Sequence, residues 1–111
     1  MILKDLIAAL ERADPNHVAP IGFRNPHSYR GYYEELSFSP APNVTVAQML
    51  DSARDALGST YHGYHARSEE FMMTENTPCH LAEWGECGET IGPVLLGYML
   101  GTIKPGRTTT D

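Results

Sequence analysis

The residues of this chain best suited to chemistry are concentrated between Gly22 and Tyr33. This segment, GFRNPHSYRGYY, combines two arginines, a histidine, an asparagine, a serine and three tyrosines with the turn formers Gly22, Pro26 and Gly31. A guanidinium presents five donors in a plane that matches a carboxylate or phosphate, and tyrosine rings can stack on a base. Such groups on a loop are typical of a site for an anionic ligand. The structural alternative is that the rings are half-buried sheet residues and the arginines pair with the excess carboxylates.

Two later segments add aromatic groups. The sequence YHGYH at 61–65 places two histidines and two tyrosines on a predicted strand, and WGECGETIGP at 84–93 is glycine-rich and leads into a helix. Helix N-termini bind anions, but the Gly-Lys-Ser/Thr ending of a phosphate loop is missing and the glycine spacing does not match a dinucleotide fingerprint. Arg30 is the first choice for the anion contact. The predicted ligand-binding residues are Arg24, Asn25, His27, Ser28, Tyr29, Arg30, Tyr32, Tyr61 and Trp84.

Catalytic and metal-binding patterns are weak. The sequence contains no G-x-S-x-G, H-E-x-x-H or C-x-x-C motif. A zinc site needs four ligands with short paired spacings, whereas Cys79, His80 and Cys87 supply three without a second close pair. Cys87 beside His80 or beside His62 would make a nucleophile and base, but the sequence does not show that proximity. We therefore expect binding without catalysis, no metal and no cofactor, and leave open whether these three residues do more than pack.

Composition limits the class of protein. The chain has 111 residues, eight lysines and arginines against fourteen acidic residues, and a net charge of −6. This balance argues against general nucleic-acid binding, which depends on neutralising phosphates. The apolar share is sufficient for one folded domain, and no stretch approaches the ~20 apolar residues that span a membrane. Because Met1 begins an amphipathic pattern and not a secretory signal, we expect a cytoplasmic protein with reduced thiols.

Three helices are predicted. The first covers residues 2–13, and the second covers 45–57, where Thr45 and Gln48 match a capping box and Gly58 suits a left-handed C-cap. The third, at 91–100, is apolar almost all round, which predicts central burial or a subunit contact and favours a homo-oligomer, most simply a dimer. The predicted core contains Leu6, Leu10, Leu36, Phe38, Met49, Leu50, Ala53, Leu57, Leu81, Leu95 and Leu96.

The remaining segments predict strands. Residues 15–30 are expected to be irregular or extended, 31–39 form a strand that the prolines of 40–42 close, and 59–64 form another. A turn at 75–78 is expected to join 71–74 and 80–84 in a hairpin. The result is an α+β fold with a small, mostly antiparallel sheet of about four strands packed with about three helices. Residues 1–103 form a single domain, and the polar tail 104–111 is expected to be disordered.

The segments 22–40, 43–46 and 84–93 together resemble a family of small, mostly uncharacterised bacteriophage accessory proteins, over roughly residues 20–101. Small phage accessory proteins often antagonise host defence in the bacterial cytoplasm. The resemblance therefore implies that the chain sequesters a nucleotide-derived immune signal, without catalysis, as a homo-oligomer. Two alternatives stay open: inhibition of a host protein through an acidic face, and a small nucleotide-processing enzyme.

Overall fold

Three helices and six strands make up the part of the chain that the computed structural model describes, residues 1–29, 35–62, 70–83 and 88–102. The predicted α+β class, with a small, mostly antiparallel four-stranded sheet, is confirmed. The predicted tail 104–111 lies outside the described residues. The elements are α1 (Leu3–Glu11), β1 (Val18–Ser28), β2 (Leu36–Thr45), α2 (Val46–Ala56), β3 (Thr60–His62), β4 (Glu70–Met72), β5 (Cys79–Leu81), β6 (Glu89–Thr90) and α3 (Pro93–Leu100).

The main sheet has the strand order β1-β2-β5-β6. β1 and β2 pair antiparallel along almost their whole length, β5 adds in parallel to the start of β2, and β6 returns antiparallel to β5. β3 and β4 form a separate antiparallel two-stranded sheet. The predicted hairpin between 71–74 and 80–84 is therefore wrong, because β4 pairs with β3 whereas β5 joins the main sheet.

The turn after β4 supports the first helix instead of closing a hairpin. The amide of Leu3 donates to the carbonyl of Thr77 at 2.9 Å, and the amide of Lys4 donates to the carbonyl of Glu75 at 2.9 Å. α1 has no side-chain cap, so these carbonyls satisfy amides that the first helical turn leaves without partners. The turn therefore binds the start of α1, and the chain after it enters the main sheet as β5.

Both long strands run through prolines. β1 contains Pro20 and Pro26, so the segment predicted to be irregular or extended is extended. β2 contains Pro40 and Pro42, so the prediction that they end the strand is wrong. Within the described ranges, β5 contacts β2 only as far as Phe38, which leaves the rest of that edge open. A proline nitrogen facing an open edge removes no hydrogen bond from the sheet.

Helix α2 follows its sequence signals closely. The Gln48 amide donates to Thr45 Oγ1 at 3.1 Å, and the Thr45 amide donates to Gln48 Oε1 at 2.9 Å, so the predicted capping box is confirmed. Gly58 adopts the left-handed conformation with a φ of 82°. Leu57 leaves the helical conformation with a ψ of 121° and is 44% exposed. Its predicted place in the core is wrong, because the backbone departs from the helix before this side chain can join the buried face.

The core lies where α2 packs on β1 and β2 and α1 packs on α2. Phe23 and Phe38 meet with ring centroids 4.4 Å apart. Leu50, Leu81 and Leu95 are partly buried at the margin of this cluster. The other predicted core residues are confirmed as buried: Leu6, Leu10, Leu36, Phe38, Met49, Ala53 and Leu96.

Helix α3 packs beside β1 with only one face covered. Leu96 and Met99 are buried, whereas Val94 is 59% exposed and Tyr98 also faces outward. Central burial of this helix is therefore wrong, since its apolar surface exceeds what the sheet can cover. Within the described ranges, none of the helices has both the length and the apolar character needed to traverse a membrane.

Candidate functional site

A bulge in β1 shapes the surface that carries the first predicted arginine. The register with β2 shifts between Arg24 and Pro26, and the intervening Asn25 has a φ of 57°, in the left-handed region that asparagine tolerates. A bulge of this kind bends the strand and re-aims its side chains. The Nδ1 of His27 donates to the Asn25 carbonyl at 2.8 Å, so the imidazole is held beside the bulge.

Arg24 is exposed and has no ion-pair partner among the described residues. Acidic residues outnumber basic ones by fourteen to eight, so a partner is easily found elsewhere on the surface. Arg54, for example, binds Glu11 at 2.7 Å. The structural alternative, in which the arginines of this segment pair with excess carboxylates, therefore does not hold for Arg24.

The next two predicted residues turn toward the protein. Ser28 is fully buried, and its hydroxyl has no hydrogen-bond partner within the described ranges. The ring of Tyr29 stacks on His80, with centroids 3.8 Å apart and an interplanar angle of 13°. The Tyr29 hydroxyl donates to the Gly88 carbonyl at 3.3 Å and accepts from the Gly88 amide at 3.2 Å. Tyr29 therefore joins β1 to β5 and to the residues just before β6.

Of the four other predicted ligand residues, one lies in the second sheet and three lie outside the described residues. Tyr61 lies on β3, in the other sheet, where it packs against the core. Burial raises the pKa of the Tyr61 phenol, with a smaller rise from the Asp55 carboxylate, while a hydrogen bond with Ser59 lowers it. Its phenol therefore stays neutral at physiological pH. Three further predicted residues lie outside the described residues: Arg30, Tyr32 and Trp84.

His80 is the centre of a polar cluster that sequence spacing did not predict. Its Nε2 lies 2.6 Å from Glu35 Oε1, and its Nδ1 lies 3.3 Å from Thr90 Oγ1. The imidazole is almost completely buried, whereas the Glu35 carboxylate and Thr90 reach the surface. Strand pairing creates the cluster, since His80 stands opposite Thr90 and beside Ser37 of β2. Nothing in the sequence around Glu35 or Thr90 indicates a contact with His80, and Glu35 is 45 positions away from it along the chain.

The two contacts of His80 suit one tautomer of the neutral imidazole. An ionised carboxylate only accepts, so Nε2 carries the proton that bonds Glu35. In the neutral ring Nδ1 then offers a lone pair, to which the Thr90 hydroxyl can donate. A carboxylate, an imidazole and a hydroxyl in this order are the elements of an activated nucleophile.

Cys79, next to His80, is a free and fully buried thiol. Burial raises the pKa of this thiol to about 12, although the nearby N-terminal ammonium acts in the opposite direction. A thiol in that state is a poor nucleophile and a poor metal ligand at neutral pH. Within the described ranges there is no group of three or more metal-ligating side chains, and Cys87 lies outside those ranges.

Two grooves flank α3. The first has a volume of about 320 Å³, and Thr90 forms part of its wall, so the hydroxyl that contacts His80 belongs to a residue at a surface groove. Its lining residues are Glu89, Thr90, Gly92, Pro93, Val94, Leu95 and Tyr98. The second, of about 230 Å³, is lined by Pro20, Ile21, Leu81, Leu95, Tyr98 and Met99.

Function has to be inferred from these residues themselves. No known family, curated protein or solved structure matches the chain. The resemblance to phage accessory proteins consequently stays a prediction.

Proposed function

We propose that the chain is a phage-encoded accessory protein of the host cytoplasm that binds and sequesters a small phosphate-bearing nucleotide. In this proposal the ligand is held and not turned over. The observation that carries it is Arg24: in a protein of net charge −6, this guanidinium is exposed, stands at a strand bulge, and has no carboxylate partner within the described ranges. Its charge is therefore available to an anion from solution.

Neighbouring groups favour a phosphate ester over a simple ion. The His27 ring is fixed through Nδ1 beside the same bulge. The exposed Asn25 adds an amide that can donate and accept hydrogen bonds. Arg30 and Tyr32 follow in the sequence and supply a second guanidinium and a ring suited to stacking. Losing one charge-assisted bond to a phosphate costs about 1.5–3 kcal/mol, which corresponds to roughly a ten- to hundredfold loss of affinity.

Calorimetry with cyclic nucleotides and ADP-ribose tests this proposal. Arg24→Ala and Arg30→Ala are each expected to weaken binding by roughly ten- to a hundredfold while the melting temperature stays almost unchanged. Arg12→Ala is the matched control, because Arg12 is an exposed arginine at the end of α1 and its loss changes the net charge equally. Affinity should be nearly unaffected by that control.

Three results would contradict the nucleotide proposal. If the wild-type chain gives no heat with any of these nucleotides, the proposal fails and inhibition of a host protein through an acidic face takes its place. Equal weakening by Arg12→Ala would mean that overall charge, and not the bulge, governs binding. If both Arg24→Ala and Arg30→Ala unfold the chain, the arginines are structural and the segment is not a site.

We also propose that the protein is a homodimer formed through the groove between β1 and α3. Ile21, at 58% exposure, and Tyr98 present apolar surface there, and α3 carries no charged residue. Two copies that each carry a charge of −6 repel one another, so an uncharged surface is where their approach costs least. Exposed apolar surface of this kind commonly marks an interaction site.

Light scattering tests the dimer. The wild type should scatter at twice the 12.3 kDa of one chain, and Ile21→Glu should shift it to the monomer. Met72→Glu is the control, since Met72 is another exposed apolar residue on β4, outside this groove. A wild-type mass of 12.3 kDa over a wide concentration range would exclude the dimer.

A further inference from the structure

We propose that Thr90, His80 and Glu35 form an acyl-transfer site in which the Thr90 hydroxyl attacks an ester of a short apolar acyl group. The site goes beyond nucleotide binding, and none of its three reacting residues is among the predicted nucleotide-binding residues. Three observations support it: the hydroxyl is within reach of an imidazole nitrogen, a carboxylate holds the other nitrogen, and Thr90 is one of the residues that line a surface groove.

Proton positions favour attack by Thr90. The Glu35 carboxylate accepts from His80 Nε2 at 2.6 Å, which leaves Nδ1 as the basic nitrogen. Thr90 Oγ1 lies 3.3 Å from that nitrogen, a loose contact of the kind that tightens when substrate binds. A hydroxyl bonded to a base that a third group orients is the arrangement that activates a nucleophile.

The imidazole is well fixed in this arrangement. His80 is 8% exposed, and the Tyr29 ring covers it at a centroid distance of 3.8 Å. Tyr29 is itself anchored to both backbone groups of Gly88. Tyr29 is therefore a positioning residue, and the base keeps its orientation without rearrangement during the reaction.

The groove beside Thr90 indicates the class of substrate. Pro93, Val94 and Tyr98 give it apolar walls, and the nearby Glu89 carboxylate disfavours an anionic substrate. The groove has a volume of about 320 Å³, which accommodates a short acyl chain.

The reaction balances without any other reagent than water. Thr90 Oγ1 bonds to the carbonyl carbon of the ester while its proton moves to His80 Nδ1. The bond from that carbon to the alcohol oxygen breaks, and the same proton passes from Nδ1 to the departing alkoxide. Water then attacks the threonine ester, again with Nδ1 as the base, and releases the carboxylic acid and the original hydroxyl.

p-Nitrophenyl butyrate is the probe for this site. We expect p-nitrophenolate release by the wild type, and mass spectrometry of a quenched reaction should place the butyryl group on Thr90. Thr90→Val should abolish both signals, whereas Thr90→Ser should retain them. Thr60→Val is the matched control and should behave like the wild type, because Thr60 is an exposed strand threonine on β3.

Variants of the supporting groups make the test specific. Glu35→Gln keeps an acceptor for Nε2 but loses the charge that stabilises the imidazolium, so acylation should slow by about tenfold or more. His80→Gln should slow acylation further. If that buried substitution unfolds the chain, the test of the proposal rests on the surface variants Thr90→Val and Glu35→Gln. Butyryl groups found only on lysines or the N-terminus, or a wild-type rate for Thr90→Val, would overturn the proposal.

Discussion

Gly22→Ala is a direct test of how closely β1 packs on α2. A Cβ at this position would lie 3.0 Å from Met49 Sδ, 3.1 Å from Val44 Cβ and 3.3 Å from Ala19 Cβ. The thioether can move, but the other two atoms are attached directly to the backbone. Overpacking in a core costs about 1–3 kcal/mol, and the lower entropy of the unfolded alanine chain offsets about 0.4–1 kcal/mol.

Because two of the three contacts are with atoms fixed to the backbone, the overpacking cost should lie in the upper part of its range, and we expect Gly22→Ala to lower the free energy of unfolding by about 1–2 kcal/mol and the melting temperature by roughly 4–8 °C. Urea unfolding and thermal melts measure the change. Met49→Ala removes the nearest clashing atom, although on its own it leaves a cavity that costs about 2–5 kcal/mol. The double variant should be more stable than the sum of the two changes predicts, by about 0.5 kcal/mol or more. Strict additivity, or a Gly22→Ala variant as stable as the wild type, would refute this packing.

Three further predictions concern burial, capping and pH. Leu6→Ala should lower the free energy of unfolding by about 2–5 kcal/mol because the side chain is fully buried. Leu57→Ala should lower it by less than about 1 kcal/mol because Leu57 is exposed, and denaturant unfolding measures both changes. Thr45→Ala should lower the free energy of unfolding by about 0.5–2 kcal/mol and reduce the helical circular dichroism signal, because it removes the cap of α2. A variant as stable as the wild type would mean that the cap contributes nothing. Burial raises the pKa of Cys79 to about 12, so the unfolded thiol ionises first and stability should fall as pH rises from about 9 to 12. Cys79→Ala should flatten that slope in a Cys87→Ser background, and an unchanged slope would contradict the assignment.

The sequence was most informative where the controlling interactions are local. Thr45 and Gln48 are three positions apart and satisfy each other's backbone, so the start of α2 could be predicted without knowledge of the fold. The end followed from Gly58, which takes a left-handed conformation that other residues adopt at a cost. The third helix was likewise expected at 91–100, and α3 spans Pro93–Leu100.

Tertiary structure decided the pairing of strands and the exposure of residues at their margins. Pro40 and Pro42 signal the end of a strand, yet β2 continues through them because part of one edge has no neighbour within the described ranges. The turn after β4 looked like a hairpin turn, but its carbonyls bind the amides that begin α1. Apolar character alone did not show which face of α3 stays open, since that depends on how much of the helix β1 can cover.

The candidate sites divide in the same way. The composition of the 22–33 segment identified Arg24 as a candidate, because guanidinium chemistry belongs to the residue itself. Its lack of an ion-pair partner within the described ranges is a property of the folded surface. The contacts of His80 with Glu35 and Thr90 depend on a parallel pairing of β2 with β5 and an antiparallel pairing of β5 with β6. Such pairings join residues that are distant in the chain, and no local spacing encodes them, so only the folded sheet could place a carboxylate and a hydroxyl on the two nitrogens of one imidazole.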